Sequence, residues 1–162
     1  LAKAGEKVIT QKMIQTGCEH VSEDTEAHRQ IQGLPFTDED TQGLTCPYIF
    51  TYPCSPHMAA AKDGRRIDLE TITQATRRLR ETYEYVLLEG AGGLMVPNDM
   101  ESLTIDYVKE HAYHLGVSKG QIPGDPLNPP SGNEKGKRGA SRYSPVAITP
   151  YQAGSGNRSS IF

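Results

Sequence analysis

The run Tyr85-Val86-Leu87-Leu88-Glu89-Gly90-Ala91-Gly92-Gly93 constrains the fold more than any other part of the chain. Four of its first five residues are apolar or aromatic, and glycines follow directly. That pattern predicts a buried parallel strand breaking into a tight loop. Such a strand carries Glu89 to its own carboxyl end. In open α/β sheets ligands bind beyond the carboxyl ends of the strands, so a carboxylate followed by a glycine loop is well placed for a metal or a phosphate group. A glycine loop alone is weak ground, because a plain strand-to-loop turn reads much the same.

The segment before this strand fixes the class. Asp68 is placed to cap a helix in which Leu69, Ile72, Ala75 or Thr76, Leu79 and Tyr83 recur at helical spacing, with Arg77, Arg78 and Arg80 on or near the wet side. A helix, a buried strand and a glycine loop in that order form half of a parallel βαβ unit, which predicts an α/β fold. After Val96-Pro97-Asn98-Asp99 another helix is predicted over 102–112, with Ile105 and Val108 on one face. A parallel strand should then follow Tyr113-His114-Leu115. The sequence passes instead into Gly116-Val117-Ser118-Lys119-Gly120.

Composition explains where to divide the chain. Residues 116–162 hold 8 of the 16 Gly and 6 of the 11 Pro, with seven Ser, a mixture that cannot bury enough apolar surface to offset the entropy of ordering. The reading is therefore an α/β domain over 1–115 and a low-complexity, disordered tail over 116–162. The tail carries six Lys or Arg against two acids, so the acidic excess lies in the first 115 residues and argues against a nucleic-acid surface. The basic cluster Lys135-Gly136-Lys137-Arg138 is read as solvated chain. Cys18, Cys46 and Cys54 form no Cys-x-x-Cys pair, and no 18-residue apolar span or signal peptide is present. Those absences lead to the expectation of a reducing, cytoplasmic setting, with no membrane partner.

Upstream, Leu1-Ala2-Lys3-Ala4-Gly5 reads as the last turn of a helix, and 7–14 as a strand ending in Gln15-Thr16-Gly17-Cys18. Lys12 and Thr16 then lie near a carboxyl end, on the edge that Glu89 occupies if the two strands are parallel. Standing alone, Lys12 would be an exposed strand lysine. Residues 20–33 predict an acid-rich helix start and a short helix stopped at Gly33, with Asp24 as a possible cap. Residues 34–47 read as a loop or short helix. A proline-bracketed extended segment, 47–57, leads into a helix over 58–62, with Pro56 suited to its first turn and Asp63-Gly64 ending it. His57 is either a polar residue of that first turn or a group facing an anionic substrate.

Lys12 with Gln15-Thr16-Gly17, Ser22-Glu23-Asp24, Ser55-Pro56-His57, Gly64-Arg65 and Leu88-Glu89-Gly90-Ala91-Gly92-Gly93 occur in an order and at intervals that resemble the ATP-dependent dethiobiotin synthetases, a family of the P-loop NTPase class. The similarity covers about residues 1–115. It implies a partial parallel-sheet P-loop NTPase-like fold with a disordered or non-native tail, and a ligase closing a ureido ring from 7,8-diaminononanoate, CO2 and ATP in a homodimer. By resemblance Lys12 is the catalytic lysine that stabilises a carbamate and the migrating phosphoryl charge. Thr16, Ser55 and His57 are substrate-binding positions, Gly90, Ala91 and Gly92 run along the nucleotide, and Asp24 and Glu89 hold Mg2+ beside ATP. Oxygen donors suit that hard cation.

Three departures accompany the resemblance. Met13 stands where the family usually has Pro. No Gly-x-x-x-x-Gly-Lys-Ser/Thr loop occurs anywhere in the chain, and nothing beyond Leu115 matches the family's later strands. A polypeptide of these residues alone is accordingly expected to be inactive. The competing readings are another amidoligase of the same class, such as a cobyrinate a,c-diamide synthase, and a non-catalytic nucleotide- or metal-binding remnant.

Overall fold

A computed structural model describes residues 5–117 and 145–150. The elements run β1 (Val8–Lys12), β2 (Ile14–Thr16), α1 (Glu23–Gln32), α2 (Asp38–Thr41), β3 (Tyr48–Phe50), α3 (Pro56–Lys62), α4 (Leu69–Thr82), β4 (Tyr85–Glu89), α5 (Thr104–Glu110), β5 (His114–Val117) and β6 (Pro145–Pro150). Two sheets form among the described residues: a four-stranded one in the order β1-β4-β6-β5, and the pair β2-β3.

The α/β class follows from the predicted unit. α4 is capped by Asp68, whose side chain accepts from the Glu70 N–H, and its Ile72 and Leu79 are fully buried. Burying such a side chain contributes roughly 1.5–3 kcal/mol. α4 packs on β4, whose Val86 and Leu88 are buried while Tyr85 and Leu87 are half-buried. β4 runs parallel to β1 with Lys12 directly opposite Glu89. The two carboxyl ends therefore share one edge of the sheet.

The single strand read over 7–14 is two strands. The chain bends at Met13, and β2 leaves β1's sheet to run parallel to β3. Backbone bonds hold the bend, with the Lys12 N–H donating to the Thr45 carbonyl at 2.8 Å and the Met13 N–H to the Glu89 carbonyl at 2.9 Å. Proline at position 13 would lack the second donor. The other differences are smaller. The 34–47 segment contains the short α2, fastened by a reciprocal Thr37–Asp40 capping box. α3 starts at Pro56 rather than at 58, α5 is shorter than 102–112, and Ser22 rather than Asp24 caps α1, its Oγ accepting from the Thr25 N–H at 3.1 Å. The helix turn read at the start of the chain falls, apart from Gly5, outside the described residues.

Two strands are described toward the carboxyl end. A strand does follow Tyr113: β5 begins at His114 and crosses the boundary drawn at 115. It does not join β4 directly. β6, within the stretch read as a tail, lies between them and pairs antiparallel with both, while the rest of that stretch, 118–144 and 151–162, lies outside the described residues. Gly116 interrupts the apolar pattern of β5, and proline ends β6 on both sides, so neither strand carries an alternation long enough to register in the sequence.

Polar groups help to organise the core. Gln11 is fully buried, accepting from Thr76 Oγ1 at 2.7 Å and donating to the Leu44 carbonyl at 2.9 Å. Arg29, only 2% exposed, grips Asp40 through two 2.8 Å hydrogen bonds and donates to Thr10 Oγ1 at 2.9 Å, so α1 is locked to α2 and β1. That lock sets the position of the helix that supplies two groups to the site.

Candidate active site

Lys12 is the last residue of β1 and is 5% exposed. An ammonium group this deep needs compensating charge and hydrogen bonds. Its Nζ lies 2.6 Å from Asp24 Oδ2 and 3.2 Å from Glu89 Oε1, and donates to the Gly90 carbonyl at 3.0 Å. β1, α1 and the end of β4 thus converge on one nitrogen. The alternative of an exposed strand lysine does not apply.

Glu89 has a second partner. His28 Nε2 lies 2.8 Å from its Oε2, leaving Oε1 to Lys12. Burial pushes the Glu89 carboxyl up, but the hydrogen bond from His28 and the charge and hydrogen bond of Lys12 outweigh it, and it ends at about 2 against an ordinary 4.5. Glu89 is therefore a fixed negative charge at neutral pH. Asp24 lies in the first turn of α1 with its side chain 41% exposed, so one carboxylate of the pair is half open to solvent and the other is held inside. The sequence reading missed His28. Its only signal was the spacing of four residues from Asp24, which on a helix places both on one face.

The glycine loop follows immediately. Gly90 is buried and gives its carbonyl to Lys12. Gly92 has φ +96°, and a Cβ there would come within 3.1 Å of Val96 Cγ2, so the loop conformation is one that favours glycine. Farther on, the Ile105 N–H donates to the Leu94 carbonyl and the Thr104 N–H to that of Val96, which ties the loop to the start of α5.

The remaining predicted positions are distributed around this cluster. Thr16 ends β2 opposite Phe50, half-buried, with Gly17 beyond it at φ +83° against Pro53. Ser55 occupies the N-cap position of α3, where its side chain makes no capping bond. His57 lies in the first turn of α3 and lines a cavity of about 490 Å³ with Arg65, Arg66, Ile67, Asn98 and Glu101 among its other walls. Lys12, Asp24 and Glu89 do not line it. The structure therefore gathers Lys12, Asp24, Glu89 and Gly90 into one contact network and keeps His57 outside that network.

Among the described residues no group of three or more His, Cys, Asp or Glu is arranged to hold a metal ion. The fit to a cation therefore rests on two carboxylates, both turned toward one ammonium. Carboxylate oxygens are donors of the type a hard cation takes. Asp24 Oδ2 and Glu89 Oε1 both face Lys12 Nζ.

Residues 1–114 match the family described as AAA domain. Among curated proteins the chain is 55% identical over 115 residues to the ATP-dependent dethiobiotin synthetase BioD 2 of Haemophilus influenzae, covering 71% of this chain and 60% of that protein. It is 56% identical over 113 residues to the protein of the same name from Pasteurella multocida, covering 70% and 53%. The dethiobiotin synthetase BioD of Chlorobaculum tepidum is 51% identical over 114 residues, covering 70% of this chain and 48% of its own length. The chain thus spans about half to three fifths of the length of these relatives.

Proposed function

The chain belongs to the AAA domain family, and from that premise we propose that it carries part of the machinery of an ATP-dependent dethiobiotin synthetase. The observation that carries this reading is the Lys12 ammonium held between Asp24 and Glu89 at the carboxyl edge of β1 and β4, directly before a glycine loop. It is supported by the names of relatives more than 50% identical over the same residues.

The chemistry asks for a fixed positive charge. One amine of 7,8-diaminononanoate adds to the carbon of CO2 and loses a proton, giving a carbamate. A carbamate oxygen then takes the γ-phosphoryl group of ATP, releasing ADP. The second amine attacks the carbamate carbon, closing the ureido ring and expelling phosphate, with a further proton lost. Negative charge builds on oxygens in the first two steps, and a buried lysine that cannot turn away supplies preorganised stabilisation. Glu89 and Asp24 hold Lys12 in place and, with Mg2+ bound, would add the cation's charge to the phosphate oxygens. Gly90, Ala91 and Gly92 offer a close backbone approach to the nucleotide. Thr16, at the end of the neighbouring strand, and Ser55 and His57, before and within α3, are proposed to contact the diamine. A homodimer in a cytoplasmic setting belongs to the same proposal, and the described cysteines are all free. No helix among the described residues is long and apolar enough to cross a membrane.

Calorimetry of the 162-residue chain with 7,8-diaminononanoate in bicarbonate buffer tests the reading. The diamine is expected to bind, and Lys12→Met to weaken it by about tenfold or more, the loss of one charge-assisted interaction. A chain that does not bind the diamine, or binds it as well without Lys12, would sink the proposal. Turnover is not expected from these residues alone, because the sequence contains no phosphate-cradling Gly-x-x-x-x-Gly-Lys-Ser/Thr loop. ATP-dependent ring closure by the purified chain would overturn that second statement.

A further inference from the structure

Asp24 and His28 stand one helical turn apart on α1 and reach opposite members of the Lys12–Glu89 pair. Glu89 is consequently gripped at both oxygens from two elements. Lys12, from β1, lies 3.2 Å from Oε1, and His28, from α1, lies 2.8 Å from Oε2. A carboxylate on a free torsion turns through a broad range, and one held at both ends does not. The other ring nitrogen of His28, Nδ1, is buried and makes no hydrogen bond. A buried N–H without an acceptor is rarer and costlier than a bare lone pair. The neutral ring that satisfies this geometry carries its proton on Nε2, where it donates to Glu89.

We infer that His28 is a positioning residue of this site: by donating Nε2–H to Glu89 Oε2 it fixes the carboxylate so that Oε1 is the oxygen left to Lys12. The inference rests on the proposed role of Asp24 and Glu89 as a cation-holding pair. It makes α1 a double support, with one residue contributing a carboxylate to the pair and the residue one turn later orienting the carboxylate contributed by β4. Outer partners of this kind typically account for about 10–100-fold in metal affinity.

The full 162-residue chain and its His28→Gln and His28→Leu variants provide the test. Gln keeps an N–H donor of similar reach, whereas Leu keeps bulk alone. Nitrogen-15 NMR of the His28 ring in the unsubstituted chain at neutral pH should show the Nε2–H tautomer with a bare Nδ1. An Nδ1–H tautomer, or a ring averaging freely between the two, overturns the inference. Titration with Mn2+ followed by electron paramagnetic resonance should then show His28→Leu binding about tenfold or more weakly and His28→Gln within about threefold of the unsubstituted chain. Equal binding by His28→Leu rejects positioning. A loss in His28→Gln as large as in His28→Leu rejects it too, because the imidazole itself would then be the ligand. If no form binds Mn2+, the cation reading of Asp24 and Glu89 falls together with this inference. Mn2+ binding that is indifferent to His28 removes the inference alone.

Discussion

At the scale of single residues, charge compensation decides what the site can be. Lys12 is buried because two carboxylates and a carbonyl meet it, and Glu89 tolerates burial because Lys12 and His28 meet its two oxygens. The consequence for stability has a definite sign. A carboxyl whose folded value lies at about 2, below its ordinary 4.5, contributes stability that is fully present above pH 4.5 and is lost as pH falls toward 2. Asp40 acts in the same direction: burial raises its carboxyl, but hydrogen bonds from Arg29, Thr37 and Thr45 lower it below its ordinary value. Urea midpoints measured from pH 6 downward should therefore fall most steeply below pH 4.5. Glu89→Gln should flatten that fall while lowering the midpoint at pH 6. An unchanged acid limb in Glu89→Gln would mean that Glu89 is not the group responsible. Gly92 bears on the loop in the same local way. Gly92→Ala should cost about 1–3 kcal/mol in chemical denaturation, because a side chain at φ +96° is strained and its Cβ would press on Val96 Cγ2.

At the scale of elements, α1 connects the polar interior with the site. Its inner side carries Arg29 into the fully buried pair with Asp40, while Asp24 and His28 face the Lys12–Glu89 pair. Removing one partner of a buried pair leaves an uncompensated charge, which costs about 3–5 kcal/mol, whereas replacing both with apolar residues can be nearly neutral. Arg29→Leu should accordingly destabilise strongly in guanidinium denaturation, and Arg29→Leu with Asp40→Leu should recover much of the loss. If the double variant is as unstable as the single ones added together, the two residues are not acting as a pair. The bend at Met13 is the other element-scale decision. By ending β1 immediately after Lys12, it places the lysine at a sheet edge and sends Thr16 into a second sheet.

At the scale of the whole molecule, the sheet extends beyond the boundary that composition suggested. β6 covers the side of β4 away from β1 and pairs with it along Tyr85–Glu89. A chain ended after Val117 would leave that side of β4 unpaired, and an exposed strand edge invites association. Sedimentation velocity should show more self-association in the shortened chain than in the full one at equal concentration. Identical sedimentation of the two would mean that β6 does not protect the edge. The same pairing keeps β5 in the sheet although it makes no ladder with β4.

The α4–β4 unit, the glycine loop and the Asp68 cap are legible in residue order alone, because they depend on local periodicity and on backbone preferences expressed within a few residues. Residue order also marks Lys12, Asp24 and Glu89, through spacing that resembles a known family. That His28 holds Glu89, that Arg29 is interior and that His57 faces a separate cavity are consequences of how the helices pack on the strands. A histidine or arginine on a polar helix reads as solvated until the helix is docked. Docking is set by contacts between residues far apart in the chain, such as Arg29 with Thr10 and His28 with Glu89. The strand pairing of β6 was hidden for the same reason, since register between distant strands leaves no periodic trace in a short, proline-bounded segment.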